Sequence, residues 1–136
     1  MSEYLVDSDW AIDVLNGRSE AIEMLDVLEP SGIALSIISY GELYQGAYYG
    51  RNPEAALTDL ETFLDGKEII APTFSIMQRF GIVRGQLPRE LRRQIGPMDF
   101  LIASTALVHD LTIVTRNLRD FEHIPGLQIY EPDLAD

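Results

Sequence analysis

Four short apolar runs, Tyr4-Leu-Val, Ile33-Ala-Leu-Ser, Glu68-Ile-Ile-Ala and Leu111-Thr-Ile-Val-Thr, are separated by long amphipathic stretches. That alternation constrains the fold more than any other feature of the chain. Strands alternating with helices imply βαβ units, and therefore a mostly parallel sheet with helices on both faces. Crossovers of this kind are right-handed, which narrows the topology further. Proline and glycine punctuate the helices. One is expected over Asp9 to Asn16, closed by Gly17, and a second over Ser19 to Leu28, ended by Pro30. A third runs from Ser39 to Tyr49 and stops at Gly50. A fourth opens at Asn52-Pro53, with proline in its favoured first turn, and ends near Gly66. A longer helix spans Thr73 to Leu87 before Pro88, and Gly96-Pro97 introduces an apolar helix over Met98 to Val108. Leu127-Gln-Ile-Tyr is a candidate fifth strand. No repeat, low-complexity segment or linker divides the chain, so residues 1–136 are expected to form a single domain.

In parallel α/β sheets, sites form beyond the carboxyl ends of the strands. Acids stand at those positions. Asp7 ends the first strand, Glu42 lies in the first turn after the second, Asp99 in the first turn after Gly96-Pro97, and Asp120 follows the fourth strand. Each has a local explanation. Ser39-x-x-Glu42 reads as a capping box and Asn117-x-x-Asp120 as a similar arrangement. Asp99 suits the positive end of its helix, and Asp7 or Ser8 can cap the helix beginning near Asp9. Together on one edge, however, carboxylates repel and raise one another's pKa unless cations neutralise them. Oxygen ligands with no cysteine, and no suitably spaced histidine in His109 or His123, suit Mg²⁺ or Mn²⁺ rather than Zn²⁺.

Charge bears on the substrate. The net charge of −12 speaks against nucleic acid, because phosphate binding rests on lysine and arginine. The distribution is uneven. Residues 1–66 hold thirteen acids against Arg18 and Arg51, whereas residues 79–119 hold seven arginines against Glu90, Asp99 and Asp110. Arg84, Arg92, Arg93 and Arg116 are thus candidate contacts to a phosphate backbone, while acids hold metal. Trp10 alone makes no stacking platform. No apolar run approaches the ~20 residues of a membrane span. The amino terminus lacks the pattern of a signal peptide, and cysteine is absent, so a cytoplasmic location is expected.

The segments LVDSDWAIDVL, SIISYGELYQGA, IGPMDFLIASTALVHDLTIVTRNLRDF and HIPGL, in this order and spacing, resemble a PIN-domain protein of the VapC type. That family comprises the toxin ribonucleases of toxin–antitoxin pairs, and the likeness extends from about Tyr4 to Tyr130. It implies a three-layer α/β/α sandwich and Mg²⁺- or Mn²⁺-dependent endoribonuclease activity. Asp7, Glu42 and Asp99 match the main metal ligands. Ser8 matches the hydroxyl residue beside the first acid. Many relatives carry Asp where this chain has Asn117, and Asp120 is the nearest acid to complete the set. Asp9 stands where Asn is common and takes a supporting role. The resemblance further implies an RNA substrate, a cognate antitoxin and a homodimer. Tyr44, Tyr48 and Tyr49 are placed either at an interface or in the core.

Two other readings use the same residues. Asp7-x-Asp9 after an apolar strand is similar to the first motif of haloacid-dehalogenase-like phosphatases, which also need a lysine near the phosphate. The only lysine is Lys67, before the third strand. A PIN-like module that binds protein without catalysis is the remaining alternative, supported by Asn117.

Overall fold

The computed structural model describes residues 2–132. Four strands, β1 (Tyr4–Val6), β2 (Ile33–Ser36), β3 (Glu68–Ile70) and β4 (Thr112–Val114), pair in parallel in the order β3-β2-β1-β4. Side chains alternate between the faces of each strand with period two. Leu5, Ala34 and Ile113 enter one core, which is packed by Ile76, Val83, Phe100, Ile102 and Ala103 from helices α5 (Phe74–Gln86) and α7 (Pro97–His109). Val6, Leu35 and Val114 enter the other, packed by helices α1 (Ser8–Leu15), α2 (Ser19–Leu28), α3 (Ile37–Tyr48) and α4 (Pro53–Leu64). The expected three-layer sandwich is therefore present, with every strand pair parallel.

Three expectations need correction. Leu127 to Tyr130 forms no strand and contributes only a bridge between Ile129 and Ile113. Helix α3 begins two residues before Ser39: Ser36 caps it by accepting from the Ile38 amide at 3.0 Å, and Ser39 is buried with no partner for its hydroxyl. The Ser39–Glu42 capping box is thus absent, and Glu42 sits in the second turn, where its carboxylate is free of capping duty. Two short helices were also unexpected, α6 (Arg89–Gln94) and α8 (Leu118–Phe121). Tyr44 and Tyr48 of α3 and Tyr49, which caps its carboxyl end, are exposed, whereas Tyr40 is half-buried.

Sheet order decides where the site falls. From β1 the chain steps to β2 and then β3, whereas β4 lands on the opposite side of β1. The crevice between the carboxyl ends of β1 and β4 is the point where the winding reverses.

Candidate active site

Asp7 occupies that crevice. Its amide donates to the Val114 carbonyl at 2.9 Å, continuing the β1–β4 pairing, and this brings Thr115 alongside. The Thr115 hydroxyl donates to Asp7 Oδ2 at 2.8 Å, with Asp9 Oδ2 as a longer acceptor at 3.3 Å. Asp7 Oδ1 accepts from the Ser8 amide at 2.8 Å, so the acid also caps α1. The capping and site readings of Asp7 are therefore one geometry. Ser8 Oγ reaches the other way and donates to Glu42 Oε1 on α3 at 3.3 Å.

A second group is built on α7 and α8. Asp99 lies in the first turn of α7, and the Asn117 amide group donates to Asp99 Oδ2 at 3.3 Å and to Asp120 Oδ2 at 3.1 Å. The Asn117 backbone amide donates to Thr115 Oγ1 at 3.0 Å, joining this group to Asp7. Asp120 Oδ1 accepts from Gln94 on α6 at 2.9 Å. A continuous chain of polar contacts thus runs from Glu42 through Ser8, Asp7, Thr115 and Asn117 to Asp99 and Asp120. Asp9 faces the β4–α8 loop, where its Oδ2 accepts from the Arg116 amide at 2.8 Å.

Burial and mutual repulsion load this row with electrostatic cost. Asp7, only 7% exposed, is pushed up to about 6, first by burial and then by the charge of Asp9, against the opposing hydrogen bonds from Thr115 and Ser8. Partial burial of the Glu42 carboxyl group and the charge of Asp7 raise its pKa. Asp99 is raised by burial, then by Asp120, Glu42 and Asp9. Among the described residues no lysine or arginine forms an ion pair with any of these acids. Arg116 is engaged elsewhere: its guanidinium meets Asp13 at 2.8 Å and lies 3.8 Å from the centre of the Trp10 ring. Arg84 rests over the rings of Phe80 and Phe100, and Arg92 and Arg93 are exposed on α6.

The donor set fits a hard divalent cation. It consists of carboxylate, hydroxyl and amide oxygens, carries excess negative charge and includes no histidine or thiolate. Among the described residues, no three acidic or histidine side chains close on one point as a complete cage. That openness suits an ion such as Mg²⁺, which binds through one or two carboxylates and keeps several waters. His109 and His123 lie apart from the row, and His123 is placed against Glu122 at 3.8 Å.

Thr115 and Gln94 were missed at the sequence level. Thr115 had a signal, being the hydroxyl residue that ends an apolar run, but its partner is 108 residues away. Gln94 had none.

A parallel sheet whose switch point gathers carboxylates from four distant segments defines an α/β protein with an acidic strand edge. The PIN-domain profile matches residues 4–127, and the chain belongs to the PIN-domain family, within its VapC group of toxin ribonucleases. It is 32% identical to the tRNA(fMet)-specific endonuclease VapC of Salmonella typhimurium, over 95% of this chain and 97% of that protein. Ribonuclease VapC2 of Rickettsia felis is 33% identical, over 91% of this chain and 93% of that one. Among solved structures, VapBC2 from Rickettsia felis bound to a promoter DNA fragment superposes with a TM-score of 0.82 at 29% identity, covering 93% of this chain and 96% of its counterpart. DNA-bound VapBC from Salmonella typhimurium also gives 0.82 at 30% identity, covering 96% and 98%. The phosphatase alternative falls with this assignment. Its only candidate cation, Lys67, precedes β3 and binds the Phe63 carbonyl at 2.7 Å and Glu29 at 3.6 Å.

Proposed function

We propose that the chain is a metal-dependent endoribonuclease, the toxin of a toxin–antitoxin pair acting in the cytoplasm. One observation carries the reading: a connected row of carboxylates at the switch point, of which Asp7, Glu42 and Asp99 are raised in pKa and, among the described residues, meet no lysine or arginine within ion-pair distance. Asp7, Glu42 and Asp99 are the acids from which a bound Mg²⁺ or Mn²⁺ would take one or two ligands. Such an ion would supply a water of lowered pKa and charge neutralisation at the phosphate. Thr115 and the Ser8 amide fix the two oxygens of Asp7, and Ser8 Oγ fixes Glu42. Asn117 holds Asp99 and Asp120 together as a pair, which supports Asp120 as the further catalytic acid. Asp9 ties the β4–α8 loop to α1 and supports the row from behind.

The partner is a cognate antitoxin, as in the VapBC complexes that this chain superposes on, and the acidic surface suits a basic segment. The exposed tyrosines of α3 provide an apolar face for that partner or for a second copy in a homodimer.

The test is cleavage of RNA by protein freed of its partner. Mg²⁺ or Mn²⁺ should support cleavage and a chelator should stop it. Asp7→Asn and Asp99→Asn should each lower the rate by at least about 100-fold while the circular dichroism spectrum persists. Full activity in either variant removes the site assignment. A folded wild-type protein that cleaves no RNA with either metal favours the protein-binding alternative.

A further inference from the structure

Resting on the ribonuclease reading, we propose that helix α6 is the arm that holds the RNA phosphates beside the acid row, with Gln94 as the residue that positions it. The chain is strongly acidic, and seven of its ten lysines and arginines lie between residues 79 and 119. Arg116 is already engaged by Asp13 and Trp10. Helix α6 carries Arg89, Arg92 and Arg93, all exposed, and among the described residues none of them meets a carboxylate within ion-pair distance.

Six residues without a side-chain cap are too few to hold a helix by themselves. Two contacts anchor the carboxyl end of α6. Ile95, which follows it, is fully buried in the α5–α7 core. The Gln94 amide donates to Asp120 Oδ1 at 2.9 Å and approaches the Arg119 carbonyl at 3.5 Å. Asp120 shares Asn117 with Asp99, so α6 is tied to the metal-ligand row through two side chains. A neutral amide suits the task. A lysine or arginine at position 94 would pair with Asp120 and cancel its charge, whereas glutamine fixes the arm and leaves the acid negative.

The chemistry favours a polyanion as the occupant. A carboxylate row repels phosphate, so a strand lying across it needs cations on the flank to hold the phosphates outside the metal site. Guanidinium groups supply planar, charge-assisted contacts to phosphate oxygens.

The test measures binding of a labelled single-stranded RNA oligonucleotide over a series of salt concentrations, with Mg²⁺ present and an Asp7→Asn background to prevent cleavage. Arg92→Gln with Arg93→Gln should lower the slope of log affinity against log salt by about 1.4, two contacts at about 0.7 each. Gln94→Ala keeps both arginines and adds no charge. It should lower the slope by at least about 0.7, and should add little when combined with the arginine changes. Gln94→Met, a near-isostere without a donor, should behave alike and guards against a folding defect in the alanine variant. An unchanged slope in the arginine double variant overturns the arm. A parental slope in both Gln94 variants overturns the positioning role. Loss of a co-purified protein partner with an unchanged RNA slope assigns this face to protein and also overturns the proposal. The readout is binding, so failure of the wild-type protein to cut RNA refutes the nuclease reading separately.

Discussion

Replacing Asp7 with Asn should destroy activity and stabilise the fold, because the carboxylate is held where its charge is unfavourable. Its pKa is pushed from the ordinary 3.8 to about 6. At 1.36 kcal/mol per pKa unit the difference corresponds to roughly 3 kcal/mol. The sign follows from linkage. Below pH 3.8 both folded and unfolded chains keep the proton and nothing is lost. Between about 4 and 6 the folded state retains a proton that the unfolded state has released, so stability falls as pH rises, and above 6 the full cost applies.

The Asp7→Asn substitution removes that charge at modest loss. The carbonyl oxygen of the new side chain can still accept from the Ser8 amide, and Thr115 can turn its hydroxyl to accept from the new amide and donate to Asp9. Allowing about 1 kcal/mol for the weakened hydrogen bonds, the variant should be about 2 kcal/mol more stable at pH 7.5. For a chain of this length that is a Tm higher by roughly 6–10 °C. Thermal melts in chelator from pH 4.5 to 7.5 provide the assay, and before the hydrogen-bond allowance the charge term should shrink to about 1 kcal/mol at pH 4.5. Adding Mg²⁺ should raise the wild-type Tm and narrow the gap. A variant that melts at or below the wild type at pH 7.5 in chelator, or a gap independent of pH, would refute the claim that Asp7 is an uncompensated buried charge.

Asp9→Ala removes the acceptor of the Arg116 amide and should destabilise the protein by about 1–3 kcal/mol in urea unfolding. Cleavage should be reduced but not abolished; complete loss would promote Asp9 to a ligand. Asn117→Asp places a third carboxylate against Asp99 and Asp120. It should lower the Tm in chelator and raise the midpoint pH of Asp99 titration by nuclear magnetic resonance, while tightening Mn²⁺ binding several-fold by calorimetry. Unchanged Mn²⁺ affinity would separate position 117 from the metal site.

Much of this was readable from the chain itself, and the exceptions have physical causes. Helix α2 runs from Ser19 to Leu28 as expected, because its boundaries are set locally by glycine and proline. Helices α6 and α8, of six and four residues, complete too few turns to imprint a periodicity. Ser36 was hidden as a cap because it is also the last residue of β2, and Ser39-x-x-Glu42 satisfied a local rule more fully. The acids were found from strand ends and helix starts, since a parallel sheet fixes which ends share an edge. Thr115 and Gln94 take their meaning from partners 108 and 26 residues away; the place of Thr115 at the end of an apolar run hints at a role without naming its partner, and nothing local marks Gln94. Arg116 looked available in sequence and is engaged by Asp13, a residue that the fold alone brings near.

The seam between β1 and β4 has a consequence for the order of assembly. β1, β2 and β3 draw only on residues up to Ile70, so three strands can pair as soon as the first half of the chain leaves the ribosome. Asp7 receives its Thr115 partner only after residues 112–114 dock against residues 4–6, a long-range closure that forms late. Until then its carboxylate lies on an open sheet edge, apart from Asn117 and the loop that Asp9 secures. The unfinished chain therefore emerges from the ribosome with its acid row not yet assembled.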